Sequence, residues 1–188
     1  MENKKDYSII VGGAAGQGSR KAGLVIAKIF NNLGYNVFIC EDYQSLIKGG
    51  HNFSVIRVSE EKKASVKEKI DFLLALDAGT IDAHEKALQK NGLIVFNSDK
   101  VKSGKGVGVA SDTITKELGG IPVMSNTALI AGFSKAAGIE WNILEESLRK
   151  ELGKGIDKNL EIAKKAYEET ETVMKIERLK DEPDPLLT

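Results

Sequence analysis

Residues 7–18 read YSIIVGGAAGQG, a short apolar run that ends in closely spaced glycines. Residues 19–33 follow with apolar side chains at helical spacing, and Gly34 is placed to end that helix. The stretch therefore predicts a strand, a tight turn and a helix. Glycines in such a turn let a ligand approach the backbone, and the free N–H groups at a helix start attract negative charge. We expect a ligand site at the turn, formed by Gly13, Gly16, Gln17, Gly18 and Ser19.

Further apolar runs at residues 36–40, 70–76 and 93–96 are separated by segments that partly show helical periodicity. This alternation is typical of an α/β protein with a mainly parallel sheet, and we predict a three-layer α/β/α, Rossmann-like domain. The first run, the first helix and the second run would form a βαβ unit. Residues 53–58 alternate in polarity and precede a charged turn at 60–63, which predicts a hairpin or edge strand and hence a mixed sheet.

The second half of the chain is predicted to be mainly helical. Residues 126–137 are almost wholly apolar, which predicts a helix that is buried on several sides or faces another chain, as in a homodimer of the isolated protein. Nothing in the pattern indicates a linker, so we predict one domain over residues 1–176 and a tail over 177–188. The remaining predicted elements are helices at 80–90, 112–118, 140–152 and 157–175 and a short strand at 121–124.

Composition excludes several classes of function. Among 188 residues, 27 basic side chains balance 27 acidic ones, so no overall field would attract nucleic acid or an anionic membrane. No apolar stretch is long enough to span a bilayer, and we expect a cytoplasmic protein. The single cysteine, Cys40, cannot form a disulfide within the chain or hold an iron–sulfur cluster, which needs several thiolates. Any redox metal must belong to another chain.

The glycine turn matches neither of two familiar phosphate-binding motifs. Gly13 and Gly18 have the spacing of a P-loop, but Ser19 stands where that motif needs its lysine. The dinucleotide fingerprint needs a glycine where this chain has Ala15, although Glu41 and its neighbour Asp42 lie where a ribose-binding acid would be. Three interpretations of the turn therefore stay open: a site for another kind of ligand, an NAD(P) site, and a tight turn with no ligand.

A second candidate segment, Ser45-Leu46-Ile47-Lys48-Gly49-Gly50-His51-Asn52, follows the second strand. Loops at the carboxyl ends of neighbouring strands meet at one crevice, so we expect this segment to face the glycine turn. Lys48 would neutralise a phosphate or carboxylate, and His51 would donate to an oxyanion or exchange a proton. The alternative is a glycine turn with a solvated lysine and a capping His51. Three other polar residues read as structural: His84 as a surface residue, and Asp77 and Asn126 as caps.

Taken together, these segments resemble the gamma subunit, or fused gamma domain, of the 2-oxoacid:ferredoxin oxidoreductases, the family that includes pyruvate and 2-oxoglutarate synthases. The resemblance covers most of the chain. Lys48 stands where the family typically has arginine, and Ala15 where many members have glycine. The matching segments are residues 13–18, Ala22-Gly23-x-x-Ile26-Ala27, Gly34-Tyr35-Asn36-Val37, residues 43–52, Arg57-Val58-Ser59, Leu76-Asp77 and Asn126.

The resemblance implies a complex that oxidatively decarboxylates a 2-oxoacid to an acyl-CoA and reduces ferredoxin, using thiamine diphosphate and iron–sulfur clusters. This chain has no thiamine-binding Gly-Asp-Gly motif and one cysteine. The resemblance therefore implies an accessory subunit that binds no cofactor alone and assembles with alpha and beta subunits and a ferredoxin-like delta subunit, meeting ferredoxin only indirectly. The implied contacts with coenzyme A or a partner involve Gly13, Gly16, Gln17, Gly18, Ser19, Lys48, Gly49, Gly50, His51, Asn52 and Asn126.

Two other classes of function stay open at this point. One is a free-standing NAD(P)-binding protein that uses Glu41 or Asp42 for the ribose. The other is a scaffold subunit whose glycine turn only packs against a partner.

Overall fold

The structure is a computed structural model that describes residues 5–43, 50–102 and 104–179. In these ranges the chain forms one mixed sheet of six strands. The strands are β1 (Asp6–Ala14), β2 (Asn36–Tyr43), β3 (His51–Ser59), β4 (Ile70–Ala75), β5 (Leu88–Asn97) and β6 (Val107–Val109). Their order across the sheet is β2-β3-β1-β4-β5-β6.

Strand β1 lies inside the sheet, antiparallel to β3 and parallel to β4. The pairs β4–β5 and β5–β6 are also parallel, which confirms the predicted α/β class with a mainly parallel but mixed sheet. Residues 53–58 lie in β3, a strand as predicted, which pairs antiparallel with β2. The strand after the charged turn 60–63, β4, pairs with β1 and not with β3, so the predicted hairpin at that turn is wrong. However, β3 is not an edge strand. It lies between β1 and β2 and is antiparallel to both, so β1 and β2 run parallel and form the predicted βαβ unit with α1, with one strand inserted between them.

Six helices in the described ranges cover the sheet unequally. Residues from every helix except α2 belong to one large core with Ile9, Val11, Phe72 and Leu74. The opposite face has a smaller core around Ile10, Leu73 and Ile94, to which α2 contributes Ile81. The helices are α1 (Ser19–Asn32), α2 (Ala78–His84), α3 (Ser111–Glu117), α4 (Ser125–Ala136), α5 (Trp141–Glu151) and α6 (Ile156–Glu168).

Two predicted elements differ in the structure because strand pairing and proline chemistry override local periodicity. The predicted helix 80–90 ends at His84, and after a 3-10 turn (Glu85–Ala87) the chain enters β5, where Leu88 pairs with Ile70. The predicted strand at 121–124 is a 3-10 turn, Pro122–Met124. Proline has no N–H to donate to a strand ladder, which disfavours a strand there.

The last predicted helix is shorter than its pattern indicated. Helix α6 ends at Glu168 and not at residue 175. The backbone N–H groups of Val173 and Ile176 instead donate to the carbonyls of Ala136 and Ala137, at 2.9 Å each. Because carbonyls at the end of a helix lack partners within it, this extended segment stabilises the end of α4.

The same extended segment continues to residue 179. The Leu179 N–H donates to the Leu33 carbonyl at 2.8 Å, and the Tyr35 hydroxyl donates to the Glu177 carbonyl at 2.9 Å. Glu177 and Leu179 of the predicted tail therefore contact the domain, and residues 180–188 lie outside the described residues.

The apolar helix α4 is buried within the chain. It packs against α6, α3 and α1 and against the sheet. Gly132 allows this close approach, since a Cβ there would lie 2.4 Å from a Val109 methyl group. Burial on several sides was one of the two predictions for this helix, and it accounts for the apolar sequence without another chain. The apolar pattern thus gives no support to a homodimer. Within the described ranges, no helix has the length and apolarity needed to cross a bilayer.

Candidate functional site

The glycine turn lies at the carboxyl end of β1. The connections that follow β1 and its neighbour β4 run to opposite faces of the sheet. After β1 the chain passes to α1 on the more heavily covered face, and after the neighbouring β4 it passes to α2 on the other face. Ligands of open α/β sheets bind in the crevice at such a switch point. The structure therefore places the predicted turn at the position that the fold favours for a ligand.

Two acceptors hold the first part of the turn. The backbone N–H of Ala14 donates to the Gln17 side-chain oxygen at 3.1 Å and to the Asp77 carboxylate at 2.7 Å. Asp77 also accepts hydrogen bonds from the backbone and hydroxyl of Thr80, both at 3.0 Å, and so caps α2 as predicted. The Asp77 carboxylate thus links the glycine turn after β1 to the start of α2 after β4.

Asn126 holds the second part of the turn. Its side-chain amide donates to the Gln17 carbonyl at 2.6 Å, which ties the turn to the start of α4. Gly18, which precedes α1, has φ of 83°, and a Cβ on it would lie 2.9 Å from the Asn126 amide nitrogen. Glycine is therefore required at position 18 both for backbone conformation and for this contact.

A cavity of about 320 Å³ opens beside the turn. Three predicted residues line it: Gly16, Gln17 and Asn126. Gly16 has φ of +87°, and no atom lies within 4 Å of where its Cβ would be, so its Cα faces open space. The other walls include Leu76, Asn97, Lys100, Ser111, Val123 and Leu129.

The described residues of the second candidate segment, Gly50, His51 and Asn52, meet the glycine turn, as predicted. The Ala15 N–H donates to the Gly50 carbonyl at 2.9 Å, and Ala14 pairs with His51 in the β1–β3 ladder. These residues reach the turn from β3, which is antiparallel to β1, whereas the prediction assumed a neighbouring parallel strand. Asn52 pairs with Gly13 and is buried. Lys48 and Gly49 lie outside the described residues, so their role stays a prediction.

The His51 ring lies away from the cavity. It stacks on Phe53, and its Nε2 lies 2.9 Å from Nε2 of His84, on the sheet face that α2 covers. Gly12 makes room for this ring, because a Cβ there would lie 2.9 Å from it. The prediction that His84 is a surface residue is wrong. Burial lowers the pKa of His84, and the neighbouring His51 adds to the shift.

The sequence analysis missed one wall of the cavity, formed after β5. Lys100 pairs with Asp112 at 3.1 Å, and the Asn97 amide also donates to Asp112 at 3.1 Å. Ser111, the first residue of α3, completes this wall. Asn97 directly follows the apolar run 93–96, so the reasoning that singled out Asp77 would also have found it.

The sheet order argues against the dinucleotide alternative. Glu41 lies on β2, which β3 separates from the glycine turn, and its carboxylate pairs with Arg20 at 3.3 Å. In the dinucleotide fold the acidic residue ends the strand next to the glycine-rich one. Glu41 and Asp42 therefore do not occupy the ribose position of that fold.

Comparison with known proteins identifies relatives. Residues 8–169 match the family model described as pyruvate ferredoxin/flavodoxin oxidoreductase. A "2-oxoglutarate synthase subunit KorC" of Archaeoglobus fulgidus is 26% identical over 152 residues, which are 80% of this chain and 81% of that protein. A "2-oxoacid:ferredoxin oxidoreductase 2, subunit alpha" of Aeropyrum pernix is 35% identical over 92 residues, 49% of this chain, but the match spans only 14% of that longer protein.

Solved structures share the fold. The 2-oxoglutarate:ferredoxin oxidoreductase of Magnetococcus marinus, solved with 2-oxoglutarate, coenzyme A and succinyl-CoA, has a TM-score of 0.79 at 21% identity. That similarity covers 97% of this chain and 35% of the other. A keto/oxoacid ferredoxin oxidoreductase gamma subunit from Geobacter sulfurreducens has a TM-score of 0.72 at 20% identity, covering 87% of this chain and 95% of that one. With the family model matching residues 8–169, the chain belongs to the pyruvate ferredoxin/flavodoxin oxidoreductase family.

Proposed function

We propose that the chain is the gamma subunit of a 2-oxoacid:ferredoxin oxidoreductase, a complex that converts a 2-oxoacid to an acyl-CoA and reduces ferredoxin. Its part is to complete the complex and to help bind coenzyme A at the carboxyl edge of its sheet. Family membership supports the reaction class, and the match with KorC over 80% of this chain and 81% of that protein supports a separate small subunit.

One structural observation supports the role most strongly. Three segments that carry the resemblance, although distant in sequence, are joined by hydrogen bonds at the glycine turn, and two of them line the cavity beside it. Gly50 and Asn126 bond to opposite parts of the glycine turn, and Gly16 leaves its open side free. Residues that only stabilised a tight turn would not need to surround a space of this size.

The cofactors of the reaction belong to partner chains in this proposal. An iron–sulfur cluster takes several thiolates, and this chain has Cys40 alone, on the exposed part of β2. Thiamine diphosphate supplies the carbanion chemistry in such complexes. The residues here position and enclose coenzyme A, and we assign no catalytic residue to the chain.

The turn offers coenzyme A a favourable but weak electrostatic site. Helix α1 begins at Ser19, after Gly18, with no side-chain cap and no acidic residue in its first turn, so its N-terminus attracts a phosphate group. This attraction contributes only about 0.3–1 kcal/mol when exposed to solvent. We therefore expect weak, salt-sensitive binding by the isolated subunit and tighter binding once a partner closes the site.

Lys48 would add a second charge to this site. Lys48→Ala should mainly raise the Michaelis constant for coenzyme A or the 2-oxoacid in the assembled complex. An unchanged constant for both substrates with intact assembly would favour the scaffold alternative.

The experiment is reconstitution with the partner subunits. The purified chain alone should be colourless and inactive with every 2-oxoacid, and it should join a stable complex that reduces a dye when 2-oxoacid and coenzyme A are present. Asn126→Ala should lower that activity without preventing assembly, because it releases the turn from α4. Iron in the isolated chain, or dye reduction without partners, would contradict the proposal.

A further inference from the structure

Two exposed apolar side chains stand beside the cavity. Ile121 and Val123 are each 58% exposed, and they are two of the four large apolar side chains exposed among the described residues. The exposed Pro122 lies between them, and we call residues 121–123 the apolar ridge. Leaving apolar surface in water is unfavourable, and contiguous exposed apolar surface commonly marks a contact with another protein. The apolar ridge is therefore a candidate interface.

Hydrogen bonds within the chain hold the apolar ridge in one conformation. The Met124 N–H donates to the Ile121 carbonyl at 2.9 Å, and the Ser125 hydroxyl donates to the Pro122 carbonyl at 2.8 Å. Isoleucine and valine are branched at Cβ, which restricts their side chains, and proline fixes its own φ. Binding through the ridge would therefore cost little conformational entropy, which favours a preformed interface.

A groove of about 240 Å³ lies against the apolar ridge. Ile121 and Val123 form part of its lining, and α1 and α4 add the apolar side chains of Val25 and Ile130. Leu152, the residue after α5, completes the apolar walls. The ridge and the groove together thus form one apolar surface that a partner could cover.

The polar side chains of the groove already have partners within the chain. The Thr127 hydroxyl donates to the Asn159 side-chain oxygen at 2.7 Å, and the Asn159 amide donates to the Gly155 carbonyl at 2.9 Å. The Asn126 amide donates to the Gln17 carbonyl. Because these groups are paired, the groove suits an apolar protein side chain better than a polar small molecule.

The charged rim of the groove has a net positive charge. Lys21 pairs with Glu151 at 3.3 Å, so these two charges offset each other. Lys154, the remaining charged residue of the rim, is exposed and forms no ion pair within the described ranges. A carboxylate beside the apolar contact would be attracted to Lys154, weakly and less so at high salt.

We propose that the apolar ridge and the groove form the docking surface for a partner subunit of the complex, which contributes an apolar side chain flanked by a carboxylate. This inference rests on the proposed function, which needs a partner to close the site at this edge of the sheet. Pro122 and Val123 line the cavity, and Ile121 and Val123 line the groove. A subunit seated on the ridge therefore also borders the cavity.

The test compares Ile121→Asp with a matched control, Val173→Asp. Val173 is 60% exposed, and its N–H bonds to Ala136 at the far end of α4, whose 12 residues span about 18 Å. Because both side chains are mostly exposed, each substitution should change the melting temperature of the free subunit by less than about 2 °C.

The chain is titrated into the partner subunits, and dye reduction with 2-oxoacid and coenzyme A is measured. Ile121→Asp should raise the concentration of the chain that gives half-maximal activity at least about 10-fold, because a charge replaces an apolar contact in the interface. The activity at saturation and the Michaelis constant for coenzyme A should stay unchanged, since Ile121 does not line the cavity. Val173→Asp should leave all three quantities unchanged.

A second pair of variants tests the charge of the partner. Lys154→Glu should raise the half-maximal concentration about two- to fivefold at low salt, and the effect should shrink at high salt. The control is Lys90→Glu, which reverses an exposed lysine on β5 that does not line the groove. Lys90→Glu should leave assembly unchanged.

Several results would overturn the inference and leave the proposed function intact. One is an active complex whose assembly tolerates Ile121→Asp, and another is unchanged assembly of Lys154→Glu at low salt. If a second copy covered the ridge, the free chain would sediment as a dimer and Ile121→Asp as a monomer. If residues 180–188 of the chain covered it, removing them would lower the melting temperature as much as Ile121→Asp does. A chain that joins no complex with the partner subunits would instead refute the proposed function.

Discussion

Gly16→Ala tests whether the open space beside the glycine turn holds a ligand. Gly16 has φ of +87°, where an alanine costs about 1–2 kcal/mol, yet the added methyl group meets no protein atom within 4 Å. For a domain of this size each kcal/mol lowers the melting temperature by about 2–4 °C, so we expect a fall of about 2–8 °C. The methyl group would enter the cavity and displace a bound ligand. A displacement of a bound reactant by about 1 Å can lower the rate about 100-fold, so activity at limiting coenzyme A should fall on the order of 10- to 100-fold.

Gly119→Ala is the matched control. Gly119 has φ of +68° and also has open space at its Cβ position, but it does not line the cavity. Both variants should show a similar fall in melting temperature by circular dichroism. Only Gly16→Ala should change the steady-state kinetics of the reconstituted complex. If both variants retained the kinetics of the unsubstituted complex, the space over Gly16 would hold no part of a substrate.

Two further substitutions test other parts of the site. Asp77→Ala removes the cap of α2 and the acceptor for the Ala14 N–H, so the free energy of unfolding in urea should fall by about 2–4 kcal/mol, and Asp77→Asn, which keeps one acceptor oxygen, should lose less. His84 has its pKa below the ordinary value of 6.5 because of burial, so the unfolded chain binds more protons as the pH falls through that value. Stability should decrease from pH 7 toward pH 5, and His84→Gln should flatten that decrease; an unchanged slope would show that the His51–His84 contact does not control it.

Local pattern was enough to predict the sheet class and the position of the glycine turn. The apolar run before Gly12 and the helical spacing after Gly18 each involve residues that are close in sequence. These two elements could therefore be predicted without knowing any distant contact. The position of β3 was not predictable in this way. Its alternating pattern indicates a strand with two different faces, but the choice of neighbours depends on α1 packing across it, where Gly23 lies against Ser54.

Local pattern likewise predicted some residues of the candidate site and missed others. Gly16, Gln17 and Asn126 stand at the ends of predicted elements, which parallel strands bring to one edge. The direction of the His51 ring follows from the β1–β3 register, since a shift of one residue would move the ring to the other face. Ser111 joins the cavity only through β6 pairing with β5, a three-residue strand whose sequence gave no signal.

The extended segment after α6 makes the order of synthesis matter for this domain. The carbonyls of Leu33 and Ala136 lie near the ends of α1 and α4, yet their partners are the N–H groups of Leu179 and Val173. Lys5, the residue before β1, likewise pairs with Glu177. During synthesis on the ribosome, the two carbonyls and the Lys5 side chain lack these partners until residues 173–179 have emerged. We therefore expect these contacts to be the last of the domain to form during translation.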